Sequence, residues 1–228
     1  MHRLSLDVLY EDNHLLAANK PPGLPTMGTP GGTETLLTLA KQYVGQKYHK
    51  PGNVYLGVVS RLDAPVTGVV LLARTSKAAN RLTEQFRTHR VEKIYWALVE
   101  GVLRPDECTL VDWLGQDERH RCMHVVGPTE PGAKQAELSY RRLAVLGGDT
   151  LLEVRLATGR KHQIRLQLAH RGHPILGDRK YGSRQGFAAG IALHARRLRV
   201  IHPVKGEPIE LIAPIPSAWP LAARRLAE

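Results

Sequence analysis

The chain has 228 residues, 43% apolar and 23% charged, a composition that supports a packed core and excludes a disordered or fibrous chain. Its 32 Lys and Arg against 21 Asp and Glu leave a net charge of +11, which suits a polyanionic partner but also occurs on plain solvated surfaces. Two cysteines, Cys108 and Cys122, are too few for a disulfide framework, and no segment has the character of a signal peptide or a membrane span. A cytoplasmic protein without membrane contact is therefore expected.

From Asp7 the segment DVLYEDNHLLAANKPPGL sets two short apolar runs around a polar turn and ends at Pro21, Pro22 and Gly23, which predicts a hairpin and then a loop. A loop rich in Gly, Pro and Thr (25–33) precedes helical spacing from Glu34 to Val44. Residues 55–60 and 69–74 read as strands, with RLDAPVTG (61–68) as the loop between them. Thr75 or Ser76 can cap a helix from Lys77 to about His89 that turns Ala78, Leu82 and Phe86 to one side. A strand follows over 92–101, alternating Ile94, Trp96 and Leu98 with Tyr95, Ala97 and Val99. Residues 104–135 are polar and rich in turn signals, and their strands and loops cannot be placed. Beyond them come a strand at 151–157, a break at Thr158 and Gly159, and a helix at 161–172 closed by Gly172. Short strands around IALHARRLRV and PIELIAP end the pattern. With no repeat, low-complexity linker or composition shift, residues 1–228 are expected to form a single domain, its core at about 7–216.

The excess charge is concentrated between Arg155 and Lys205, where twelve Lys or Arg stand beside one acid, Asp178. A helix facing water normally interleaves Glu, so phosphate contact accounts for this stretch better than a solvated face does. Asp63 sits in a loop between two strands, where a carboxylate either caps turn amides or is held for catalysis, next to Arg61. Taken alone, Tyr95 reads as a half-buried strand residue and Arg165 as one more surface arginine. His120, Cys122 and His124 alternate as three potential soft ligands, but no C-x-x-C or H-x-x-x-H partner accompanies them. The H-x-E and P-C-x-x-C elements of zinc deaminases are missing, as are phosphate-cradling glycine loops. No metal and no cofactor are expected.

Together these segments resemble the RluA-type pseudouridine synthases, whose hallmark is H-R-L-D-x-x-T-S-G after a strand. Here it reads SRLDAPVTG (60–68), accompanied in family order by NKPPGL (19–24), EKIYWALVEG (92–101), TGRKHQIRLQLAHRGHPILGD (158–178) and LHARRLRVIHP. The resemblance implies an α+β fold with a central mixed, mainly antiparallel sheet flanked by helices and loops. It implies isomerisation of uridine in structured ribosomal or transfer RNA, with Asp63, Tyr95 and Arg165 as catalytic residues and Arg165 as partner to the aspartate. Arg61 would enter the base stack when the target uridine flips out. Arg160, Lys161, His162, Gln163, Arg196, Arg197 and Arg199 would contact RNA. Ser60 replaces the family's His, and Val66-Thr67 replaces Thr-Ser, without moving the aspartate out of register. The chain starts at the catalytic domain without an S4-type module, so RNA recognition is expected to rest on that domain, acting as a monomer. The alternative is an inactive basic RNA-binding or ribosome-assembly factor on the same fold.

Overall fold

The computed structural model describes residues 5–28, 33–117 and 122–227. The chain forms two compact units, one made of Met1–Glu92 with Ala195–Pro214 and the other of Lys93–His194 with Ile215–Glu228. The elements of the first unit up to Glu92 are β1 (Val8–Glu11), β2 (Leu15–Lys20), α1 (Leu36–Lys47), the two-residue β3 (Gly57–Val58), β4 (Thr67–Ala73) and α2 (Ser76–Arg87). The second unit holds β5 (Glu92–Val99), β6 (Glu107–Asp117), β7 (Cys122–Val126), β8 (Lys134–Leu146), β9 (Asp149–Leu156) and α3 (Gln163–His170). Two later strands, β10 (Leu193–Ile201) and β11 (Pro208–Ile212), return to the first unit, and a short α4 (Leu221–Arg225) follows.

In the first unit the strand order is β1-β2-β4-β10, with β11 beside β10 and β3 beside β4. The apolar run of β4 buries every residue, because each face of the sheet is covered. Leu15, Ala17, Val69 and Leu71 pack with Ala78 and Leu82 of α2. Leu16, Ala18, Val70 and Leu72 pack with Leu36, Leu39 and Val44 of α1. Period-2 alternation on β2 and β4 thus serves two cores at once. Thr75, one of the two caps that the sequence offers, caps α2 through Ala78 N, and Thr35 and Thr38 form a reciprocal capping box on α1.

The predicted strand at 55–60 shortens to β3. Beyond Val58 a side chain takes over the ladder: Ser60 Oγ accepts from Leu71 N at 3.0 Å. Ser60 therefore joins the loop to β4.

The second unit orders its strands β5-β9-β8-β6-β7, each neighbouring pair antiparallel. The stretch 104–135 that resisted placement contains the long β6, the five-residue β7 and the start of β8, which extends the same meander to Leu146. Leu114, Met123 and Ala136 face Leu166 of α3. The predicted helix at 161–172 is only Gln163–His170, because His162 adopts a left-handed backbone (φ 55°) and the chain from Thr158 to His162 is a turn. Among the described residues no helix is long and apolar enough to cross a membrane.

Candidate active site

Asp63 lies on the loop that connects Ser60 to β4, and the loop is fastened by residues distant in sequence. Thr26 brackets Leu62, its Oγ1 donating to Leu62 O at 2.9 Å and accepting from Leu62 N at 3.1 Å. Gly23 N donates to Ala64 O at 2.8 Å, and Val66 N closes the turn onto Asp63 O at 3.1 Å. Gly68 permits the exit into β4, since its φ of +111° and a would-be Cβ 2.3 Å from Ala195 O exclude any other side chain.

Lys20 is the residue that the sequence reading missed. Fully buried at the end of β2, it donates to Pro21 O, Leu24 O and Ala64 O at 2.8, 2.7 and 2.9 Å. Three carbonyls match the three N–H bonds of an ammonium. Burial draws Lys20 down to about 7, while the negative charge of Asp63 pulls the other way. This cation therefore joins the NKPPG turn to the aspartate loop and places positive charge near the carboxylate. The available signal was a lysine in line with the inward-facing Leu16 and Ala18 on LLAANK.

Tyr95 and Arg165 belong to the second unit. Tyr95 is half-buried on β5, opposite Val154 of β9. Arg165 is buried on α3 and forms a two-pronged ion pair with Asp178, Nε to Oδ2 at 2.7 Å and Nη2 to Oδ1 at 2.8 Å. The side chains are only 6% and 2% exposed. Asp178 is placed by the preceding Gly177, whose φ of +83° and close approach to Gly190 O leave no room for a Cβ. The acid that stood alone in the basic stretch therefore orients the arginine, and the guanidinium also lies 5.1 Å from the Tyr181 ring centroid.

The residues predicted to contact RNA differ in what they are free to do. Arg61, Lys161 and Arg199 are exposed. Arg160 is exposed as well but lends Nε to Gln135 O at 2.9 Å. His162 Nδ1 is 2.7 Å from Tyr181 Oη. Gln163 is 3% exposed and its amide holds the turn, accepting from Thr158 Oγ1 and Arg160 N and donating to Glu137 O. Arg196 donates to Ala213 O, and Arg197 faces Glu92 and Glu210 at 3.6 and 3.3 Å.

His120 lies outside the described residues. Cys122 and His124 project from β7 on one face, and the structure adds Asp117, directly opposite Cys122 on β6, with ligand atoms of all three within 4.8 Å of one another. A cavity of about 550 Å³ in the second unit, lined by Cys108, Ser139, Arg141 and Glu153 among others, contains none of the predicted catalytic residues.

The fold is that of an RNA-modifying enzyme of known architecture. The chain aligns with the structure of human RNA pseudouridylate synthase domain containing 4 at a TM-score of 0.77 and 26% identity, over 92% of this chain and 89% of that one. A family model described as RNA pseudouridylate synthase matches residues 14–170. An uncharacterized RNA pseudouridine synthase of Synechocystis sp. is 37% identical over 94% of the chain and 67% of its own length. Ribosomal large subunit pseudouridine synthase D of Xylella fastidiosa is 36% identical over 93% and 67%, so the chain spans about two thirds of both relatives. tRNA pseudouridine synthase C of Salmonella typhimurium is 32% identical over 94% of the chain and 87% of its own length. The chain belongs to the RluA-type RNA pseudouridine synthases, which are isomerases.

Proposed function

We propose that this chain converts specific uridines in structured ribosomal or transfer RNA to pseudouridine, with Asp63 as the carboxylate that starts the reaction. The observation that carries this reading is the fastening of the Asp63 loop by Thr26, Gly23, Lys20 and Ser60, a degree of positioning that a mere turn does not need. Relatives named for the ribosomal large subunit and for tRNA supply the two candidate substrates.

The isomerisation breaks the bond from C1′ to N1, turns the uracil and joins C1′ to C5, so no atom or electron enters from outside. An ionised carboxylate can open it by attack at C1′, attack at C6 or removal of a sugar proton. Arg165, oriented by Asp178, is the cation that the family pattern pairs with the aspartate, and Tyr95 is the ring against which the flipped uracil stacks. Flipping costs a few kcal/mol of stacking and pairing, which phosphate contacts and Arg61 offset. Mapping pseudouridines in total RNA from cells with and without the protein tests the assignment and identifies the uridine. An unchanged map would refute it.

Two results follow. Arg61→Ala should slow single-turnover conversion of a structured stem-loop at least tenfold more than conversion of an RNA whose target uridine is already unpaired, because only the first demands unstacking. Equal losses would reduce Arg61 to a phosphate contact or loop support. Exhaustive treatment with EDTA should leave the rate within about twofold of its starting value, since no step calls on Lewis-acid chemistry. Loss of activity restored by Zn²⁺ would assign a ligand role to Asp117, Cys122 and His124.

A further inference from the structure

Among the described residues Lys93 is a cation without an anion. On β5 it shares a face with Tyr95, two residues on, while Ile94 and Trp96 turn the other way into the core. Ile94 pairs with Arg155 on β9, so Lys93 lies where β9 ends and the chain enters the Thr158–His162 turn. Its ammonium donates to Thr158 O at 3.4 Å, its one bond among the described residues, and the bare backbone of Gly159 runs beside it, a would-be Cβ standing 3.7 Å from Nζ. Among the described residues it has no carboxylate partner. The group is half-buried, and burial alone pulls its pKa below the ordinary lysine value.

Such a placement works against folding. A partly desolvated ammonium needs charge-assisted bonds to offset the water it loses, and one stretched bond to a neutral carbonyl does not provide them. The turn beneath it is rigid, pinned by Thr158 and by the buried Gln163 amide, and it carries the exposed cations Arg160 and Lys161. A fixed basic surface with a half-buried ammonium suits an anionic oxygen, and a lysine serves phosphate well as a point charge.

We propose that Lys93 is a phosphate-binding residue, its ammonium taking a non-bridging oxygen of an RNA phosphodiester on the face of β5 that carries Tyr95. This rests on the RNA-modifying role proposed above and deepens it, because a backbone phosphate fixed there sets the register of the nucleotide presented to Tyr95. Gly159 then has a reason to lack a side chain: it leaves the approach to Nζ open.

The test compares wild type, Lys93→Met and Lys93→Arg for affinity to an unmodified tRNA transcript across a salt series, and for melting temperature. Lys93→Met should bind about 10- to 100-fold more weakly. Its slope of log affinity against log salt should be shallower by nearly one, while its melting temperature stays level or rises once the desolvated charge is gone. Lys93→Arg should keep the slope. A Lys93→Met variant with unchanged affinity and slope, or one that melts several degrees lower with its slope intact, would make Lys93 a brace for the turn and overturn the proposal. So would failure of the wild type to bind RNA. Wild type that binds but forms no pseudouridine would refute the isomerase reading while leaving the assignment of Lys93 standing.

Discussion

Replacing Asp63 by Asn should lower turnover by more than about 100-fold, equivalent to more than about 2.7 kcal/mol of transition-state stabilisation, while melting temperature and RNA affinity change little. The reasoning is steric and electrostatic. Asn has the shape of Asp, and the backbone of Leu62 and Ala64 on either side is held by Thr26 and Lys20, so the loop stays in place. What disappears is the ionisable oxygen and its attraction for Lys20, the buried cation of the neighbouring turn. Single-turnover kinetics on an RNA that the wild type modifies, alongside thermal melting and a binding isotherm, separates the three effects. Residual activity above about one hundredth of wild type would return Asp63 to the role of a turn residue.

Removing the charge of Asp178 should have the largest effect on stability. Arg165 and Asp178 are both buried and doubly hydrogen-bonded, and deleting one partner of such a pair leaves a desolvated charge, at a cost of about 3–5 kcal/mol. For a chain of this size Asp178→Asn is expected to lower the melting temperature by about 6–20 °C. The companion variant Arg165→Met with Asp178→Leu replaces the pair by apolar groups, which commonly restores stability. It should regain most of the lost melting temperature and remain inactive, because the cation assigned to the aspartate has gone. A melting change of under about 1 kcal/mol in Asp178→Asn would mean that water reaches the guanidinium after all.

Segments whose packing is local or whose alternation is strict were legible in the sequence. The unbroken VVLLA run identified β4, and Thr75 before Ala78, Leu82 and Phe86 identified α2. The meander from Glu107 to Leu146 was not, because one side of each strand meets solvent and carries Glu, Thr, Gln and Arg, which reads as loop composition. Leu110 and Leu114 face inward four residues apart, too sparse to fix a strand period. In the same way the catalytic candidates came from a matching motif, whereas their supports did not. Lys20 acts on a carbonyl 44 residues away and Asp178 on an arginine 13 residues away, and neither spacing has a local signature. The helix at 161–172 was overdrawn because its alternation hid the left-handed His162.

The interrupted path of the first unit also sets an order of events during synthesis. Its last strands, β10 and β11, leave the ribosome only after the intervening residues 93–194 have been made. At about 5–20 residues per second that delay is roughly 5–20 s. Until then the Gly68 end of β4 has no Ala195 backbone to pack against, and an apolar strand stands with part of its edge open, the kind of nascent surface that chaperones cover. The loop carrying Asp63 leads directly into that end of β4, so β10 completes the support of the strand that follows the carboxylate. The nascent chain therefore carries its aspartate loop, and the residues that fasten it, long before the strand beyond that loop is fully paired.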